Sequence, residues 1–209
     1  MIVFSCQIRE HLTIRLLAKE DTDELYSVMK RNQNHLSEWL SWAEELADID
    51  TYRDVIIPEW RYKYAEENGF DAGIFVKGRF CGMISIHNVD PVNQKAEIGY
   101  WLDREHEGFG IITASCRAVI THAFQDLGLN RIMISAAEKN TKSRAVAERL
   151  GFQKEGLTRE GIFVQGAYHD TVNYSMLKRE WSEDRQKSTF LGLNVSPMWK
   201  SNSGDVKKE

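Results

Sequence analysis

The spacing of apolar residues divides most of this chain into alternating short and long elements. Leu12-Thr13-Ile14-Arg15-Leu16-Leu17 reads as a strand with Ile14 and Leu16 on one side. Asp21 or Thr22 can cap a helix whose apolar stripe is Leu25, Val28 and Met29. Residues 34–46, with Leu36, Trp39, Leu40 and Trp42, predict a second short helix. Residues 50–68, with Tyr52, Val55, Ile56, Trp60 and Tyr64, predict a third that ends at Asn68-Gly69. Pro58 falls inside it and predicts a kink or break. Strands follow at 71–77, 80–88 and 95–102, the first two joined by a tight turn at Lys77-Gly78 and the last two by Asp90-Pro91-Val92-Asn93. Ile112, Cys116, Val119, Ala123 and Leu127 recur at three and four and mark the next helix, closed by Gly128 or Asn130. A strand at 131–136, a helix at 141–150 ending on Gly151, and strands at 152–159 and 167–177 complete the pattern. This order predicts an α/β fold with a mixed, mostly antiparallel central sheet and helices on both faces.

Periodicity stops at residue 182, so the expected domain is residues 1–181, followed by a polar, flexible tail at 182–209. Leu191, Leu193, Met198 and Trp199 are apolar for such a tail and leave docking on the fold or on a partner open. Composition adds little beyond "globular": 42% hydrophobic and 28% charged residues in 209. A formal net charge of −4 argues against electrostatic nucleic-acid binding. Cys6, Cys81 and Cys116 are isolated and odd in number, which fits a reducing cytoplasm better than a disulfide framework. The six histidines lack ligand spacing, so no metal is expected. The apolar N-terminus breaks at Gln7-Ile8-Arg9-Glu10, too early for a leader or a membrane span.

The chemistry starts at Gly108-Phe109-Gly110-Ile111-Ile112-Thr113, which follows the strand Ala96-Glu97-Ile98-Gly99-Tyr100-Trp101-Leu102 and opens a helix. Strand, glycine loop and helix start together form an anion-binding device, because glycines admit a phosphate close to the backbone and first-turn amides point at it. One strand later come Asn140-Thr141-Lys142-Ser143-Arg144 and Leu150-Gly151-Phe152.

Taken with Ile98-Gly99-Tyr100-Trp101-Leu102, Leu127-Gly128-Leu129-Asn130-Arg131-Ile132 and Tyr168-His169-Asp170, these motifs resemble the GNAT acetyltransferases. They look most like the RimJ/RimL-type ribosomal-protein N-acetyltransferases, and within those the YdaF-like proteins of bacilli; the resemblance spans about residues 8–181. It implies a sheet splayed between its fourth and fifth strands, here 95–102 and 131–136, with acetyl-CoA bound in the gap. The backbone of Tyr100, Trp101 and Leu102 would hold the pantetheine arm, and the amides of Gly108, Phe109, Gly110, Ile111, Ile112 and Thr113 the pyrophosphate. Asn140 and Ser143 would face the far side of the arm and the thioester sulfur. Two positions depart from the family pattern: Glu107 stands for Gln or Arg, and Ile112 for Gly or Ala. A carboxylate at 107 repels phosphate unless it points away, and the ring of Phe109 is expected over the cofactor.

Transfer of an acetyl group needs a neutral amine, a polarised carbonyl and a proton for the departing thiolate. The resemblance puts the proton donor at Ser143; read from the residues alone, Ser143 is equally a helix-capping serine. For the base, the resemblance implies a position where close relatives often carry a glutamate and this chain has Ile162. Glu97 is favoured, on a strand where other acetyltransferases position a water; Glu160 would face the same side as Ile162 if that stretch is extended, and His169 has a suitable intrinsic pKa. Trp39, Trp42, Trp60 and Tyr64 would shape the acceptor slot or serve as core. The expected activity is acetyl-CoA-dependent acetylation of a protein N-terminal α-amine, with a ribosomal protein as the expected acceptor. The alternatives are acetylation of a small amine such as a polyamine or aminoglycoside, and CoA binding with little turnover. A homodimer is left open; no nucleic-acid or membrane partner is expected.

Overall fold

In the computed structural model, residues 4–181 and 193–195 are described. Two antiparallel strands, β1 (Phe4–Arg9) and β2 (Leu12–Leu16), lead into α1 (Thr22–Ser37). A 3₁₀ turn at Ser41–Ala43 precedes a continuous helical stretch built from α2 (Ile49–Thr51), a π-helical segment (Tyr52–Ile56) and α3 (Ile57–Ala65). The meander β3 (Phe70–Val76), β4 (Arg79–Asp90) and β5 (Lys95–Leu102) follows, then α4 (Ile111–Gln125), β6 (Arg131–Ala137), α5 (Thr141–Leu150), β7 (Gln153–Val164) and β8 (Ala167–Leu177). A short β9 (Leu193–Val195) pairs with β1, so the sheet reads β7-β8-β6-β5-β4-β3-β2-β1-β9. All ladders are antiparallel except β5 with β6, which run parallel.

Two buried clusters cover opposite faces of this sheet. The larger packs Cys116, Val119, Ala123 and Phe124 of α4 and Val146, Ala147 and Leu150 of α5 onto Ile84, Ile98, Ile132 and Ile134. The smaller packs Leu25, Val28 and Met29 of α1 with Tyr52 and Ile57 onto Phe75, Phe80 and Met83. Met83 and Ile84 are neighbours in β4 yet belong to different clusters, as the period of two in a strand requires. Trp181 closes the unit: it is buried against Phe124, and its indole N–H donates to Thr121 Oγ1 at 3.1 Å. Of the expected tail, all but Leu193–Val195 lies outside the described residues.

Three local expectations change. The N-terminal run is a strand, with Phe4, Cys6 and Ile8 buried on one side. The expected helix at 34–46 does not form: its first residues finish α1, whose stripe continues through Asn32 to Leu36, and Leu40 is extended at φ −126°, ψ 105°. The helix around Pro58 does not break. Proline lacks an N–H and crowds the carbonyl four residues back; the wider turns at Tyr52–Ile56 immediately precede it and absorb that defect. Among the described residues no helix is long and apolar enough to cross a membrane.

Candidate active site

The parallel ladder between β5 and β6 pairs Lys95, Ala96 and Glu97 with Arg131, Ile132 and Met133 and then stops, although both strands continue. On its other edge β5 stays paired with β4 as far as Gly82 opposite Leu102. From Ile98 to Leu102, β5 therefore presents one edge with no strand against it. A cleft of about 1460 Å³ opens there, walled by β5, the end of β6, the start of α4, the start of α5 and the end of α1. A free strand edge accepts an extended, amide-bearing chain.

The loop entering α4 has the geometry of an anion-binding helix start. Gly108 and Gly110 have φ of +84° and +71°, and a Cβ on either would meet nothing within 4 Å, because the neighbouring space is the cleft. Gly110 is the N-cap and has no side chain to cap with; the first helical amide that finds a main-chain acceptor is Ala114 N, 3.0 Å from Gly110 O. The amides of Ile111, Ile112 and Thr113 are thus left for a ligand. At α5 the opposite holds, since Asn140 Oδ1 accepts from Ser143 N at 3.1 Å. Ser143 is not the cap of α5. Asp103, 1% exposed, pins the loop to α1 by accepting from Asn32 Nδ2 at 2.9 Å and pairing with Arg31, with His106 Nδ1 at 3.0 Å. Phe109 is 71% exposed and its side chain is not part of the cleft wall.

Glu107 does not face the cleft as a bare charge. Its carboxylate receives Lys142 Nζ at 2.5 Å and lies 2.9 Å from His35 Nε2. Partial burial works against ionisation, but the Lys142 ammonium and the His35 ring outweigh it and hold Glu107 below the usual carboxylate range. The departure at 107 is therefore compensated by a cation on the opposite wall.

Alternate residues of β5 serve opposite faces. Ile98 and Leu102 join the core beneath α4 and α5, and Tyr100 reaches α5: its hydroxyl donates to Ser143 O at 3.0 Å and accepts from Ser143 Oγ at 3.1 Å. Burial raises the Tyr100 pKa, so the hydroxyl stays protonated at neutral pH. Glu97 and Trp101 point to the α1 face, where Trp101 packs on Phe80 and Trp42. His87 and Asn88, the latter with Nδ2 at 2.9 Å, hold Glu97 below the usual carboxylate range.

Glu97 and Ser143 line the cleft; Glu160 and His169 are not among its lining residues. The premise for Glu160 fails because the chain there is not extended. The β7–β8 register shifts between Thr158 and Ile162, Glu160 has φ +51°, and its N–H donates to Asp170 Oδ1 at 2.8 Å. His169 sits opposite Ile162 in that ladder. Of the aromatic residues proposed for the acceptor slot, Trp39 lines the cleft, whereas Trp60 and Tyr64 pack against the two cores. Sequence reasoning missed Ser135, Thr158, Thr171 and Asn173 on the cleft wall and His87 behind Glu97. A signal was present: Thr171, Asn173 and Ser175 alternate with Val172, Tyr174 and Met176, the mark of a strand with one polar face.

Comparison with known proteins adds to this geometry. Residues 11–153 match the family model described as an acetyltransferase (GNAT) domain. A Bacillus subtilis protein, YdaF, whose name assigns it provisionally to the ribosomal N-acetyltransferases, is 54% identical over 183 residues, which is 88% of this chain and all of that one. The Escherichia coli ribosomal-protein-serine acetyltransferase is 31% identical over 82% of this chain and 95% of its own. A solved structure of RimL, a ribosomal L7/L12 α-N-protein acetyltransferase in complex with coenzyme A, aligns with a TM-score of 0.79 at 25% identity, covering 83% of this chain and 97% of that one.

Proposed function

This chain belongs to the GNAT acetyltransferases and is of the RimL/RimJ ribosomal-protein type, and we propose that it carries the acetyl group of acetyl-CoA to the N-terminal α-amine of a ribosomal protein. The observation that carries this reading is the open edge of β5 running into an uncapped helix start. That combination matches a ligand with an amide-bearing arm and a pyrophosphate. The cleft wall supports a polypeptide acceptor over a polycation. Its carboxylates are Glu97 and Glu107, the second is already matched by Lys142 and His35, and Arg149 lines the same wall. A polyamine needs more uncompensated negative charge than that.

Acetyl-CoA supplies an activated thioester. The residues of this chain handle protons on either side of it. Glu97 is held ionised and lies against His87; on this reading it orders a water that takes a proton from the incoming ammonium. On the other wall Ser143 Oγ donates to the Tyr100 hydroxyl, which donates to Ser143 O; on this reading that pair returns a proton to the leaving sulfur. The neutral nitrogen forms its bond to the acetyl carbon, the carbon–sulfur bond breaks, the nitrogen sheds its second proton to solvent, and the thiolate takes one from the Ser143–Tyr100 pair, which solvent restores.

The test is incubation with acetyl-CoA and a panel of N-terminal peptides of ribosomal proteins, unrelated peptides and polyamines, read by mass spectrometry. Acetylation confined to polyamines would overturn the acceptor assignment. Glu97→Gln should keep acetyl-CoA affinity and lose turnover by about a hundredfold to ten-thousandfold at neutral pH. The deficit should shrink as pH rises and the amine arrives already neutral. A variant within threefold of wild type removes Glu97 from the reaction.

A further inference from the structure

On the α1 face of the sheet, three side chains that neither the motifs nor the cofactor geometry account for form a hydrogen-bonded row across the strands. Ser135 Oγ on β6 donates to Asn173 Oδ1 on β8 at 3.0 Å, and Asn173 Nδ2 donates to Thr158 Oγ1 on β7 at 2.8 Å. All three line the cleft. Glu97 pairs with Met133, two residues before Ser135, so Glu97 and Ser135 share this face. The strand order β5-β6-β8-β7 therefore sets Glu97, Ser135, Asn173 and Thr158 in succession. A strut bounds the row. The β7–β8 turn is tied to the end of α1 and the segment beyond it, Gln165 Nε2 donating to Ser37 O at 3.1 Å and Gln165 N to Glu44 Oε1 at 2.9 Å.

We infer that the row Ser135–Asn173–Thr158 is a subsite for the main chain of the acceptor polypeptide, running away from an amine held at Glu97. This rests on the acceptor being a protein N-terminus. The row has hydrogen-bonding capacity left over in both senses. Thr158 accepts from Asn173 and keeps its own O–H to donate; Ser135 donates to Asn173 and keeps lone pairs to accept. Those are the partners of a peptide C=O and a peptide N–H. Three interstrand steps sideways, about 14 Å, and an offset of four residues along the strands, about 13 Å, put Thr158 about 19 Å from Glu97, the reach of about six extended residues. Contacts to main chain read length more than sequence. The row selects an extended polypeptide over a single amino acid or a compact amine.

The experiment measures kcat/KM for a series of C-terminally amidated peptides with one, two, four, six and eight residues of one ribosomal N-terminal sequence, at saturating acetyl-CoA. In the wild type kcat/KM should climb until about six residues and then level off. Each lost main-chain hydrogen bond is worth about threefold to tenfold, so in Ser135→Ala and in Thr158→Val the ratio of the eight-residue to the one-residue value should fall by that factor. Thr158→Val keeps shape and strand propensity on an exposed position, so a folding defect does not mask the result. Wild-type values independent of length, or variants with the wild-type ratio, overturn the subsite while leaving N-terminal acetylation standing. A panel in which polyamines react and no peptide does overturns the acceptor assignment and the subsite with it.

Discussion

Replacing Gly110 by valine separates binding from folding, because the structure puts those two consequences in different places. Gly110 caps α4 at φ +71°, ψ 14°, and an added Cβ meets no atom within 4 Å. The fold therefore suffers backbone strain without a clash. A left-handed conformation costs an L-residue about 1–2 kcal/mol, with β-branched residues at the upper end. For a domain of this size each kcal/mol lowers Tm by about 2–4 °C, so Tm should fall by about 2–8 °C. Binding suffers more, since the open space beside Gly110 is the cleft itself, and the isopropyl group would stand where the helix-start amides meet an anion. Losing one charge-assisted hydrogen bond already costs about 1.5–3 kcal/mol, tenfold or more in affinity. Gly128→Val is the control: Gly128 follows α4, has φ +68°, and is equally open, so it should lose similar stability without touching the cleft. Calorimetric titration with acetyl-CoA and thermal melts of both variants decide the matter. A folded Gly110→Val that binds acetyl-CoA within twofold of wild type would refute the placement of the pyrophosphate.

Two further outcomes follow from charges in the structure. Glu107→Gln removes a carboxylate beside that loop and frees Lys142 from its partner. Acetyl-CoA affinity should rise by about fivefold at low salt and lose most of that gain near 0.5 M salt, where the screening length is only a few Å; unchanged affinity would show that this charge is not felt at the anion site. His122, buried among Phe4 and Phe70, is held below its ordinary pKa by burial, against the pull of Asp126. The unfolded chain takes up that proton first, so stability is intact above about pH 6.5 and declines below it, by at most about 1.4 kcal/mol per pH unit. Urea titrations between pH 5 and pH 7.5 should show this slope in wild type and not in His122→Gln; equal slopes would assign the acid sensitivity elsewhere.

What the sequence made legible is what local rules control. The strand at 95–102, the helix at 141–150 and the glycine loop between strand and helix start come from periodicity, turn residues and caps within a few positions of each other. The N-terminal strand carried the same alternation, with Phe4, Cys6 and Ile8 buried and Ser5, Gln7 and Arg9 between them, but its apolar start masked it. What failed depended on distant partners. Glu107 looked like a liability because Lys142 is 35 positions away and His35 is 72 positions away in the other direction. Glu160 looked like a base because nothing local announces that Asp170 takes its N–H into a bulge. The row from Ser135 to Thr158 spans three strands brought together only by the sheet order.

The splay of β5 from β6 also explains how a sheet, normally a barrier, becomes a passage. Along β5 the period of two sends Glu97 and Trp101 to the α1 face and Tyr100 to the α5 face. In a fully paired sheet these groups could never serve one reaction, because the main-chain ladder would separate them. Ending the ladder at Glu97 opposite Met133 leaves a gap in which both faces are reachable from a single cleft. On the proposed reading the amine arrives from the α1 face, along the polar row, and gives up its proton at Glu97. The sulfur departs toward α5, where Ser143 and Tyr100 hold theirs. Deprotonation and reprotonation are thereby kept apart by the thickness of the sheet, so that the group that strips the nucleophile cannot compete for the proton meant for the leaving group. Glu97 and Tyr100 lie at or within three positions of the point where the two parallel strands stop pairing, and α5 brings Ser143 to Tyr100 across the gap.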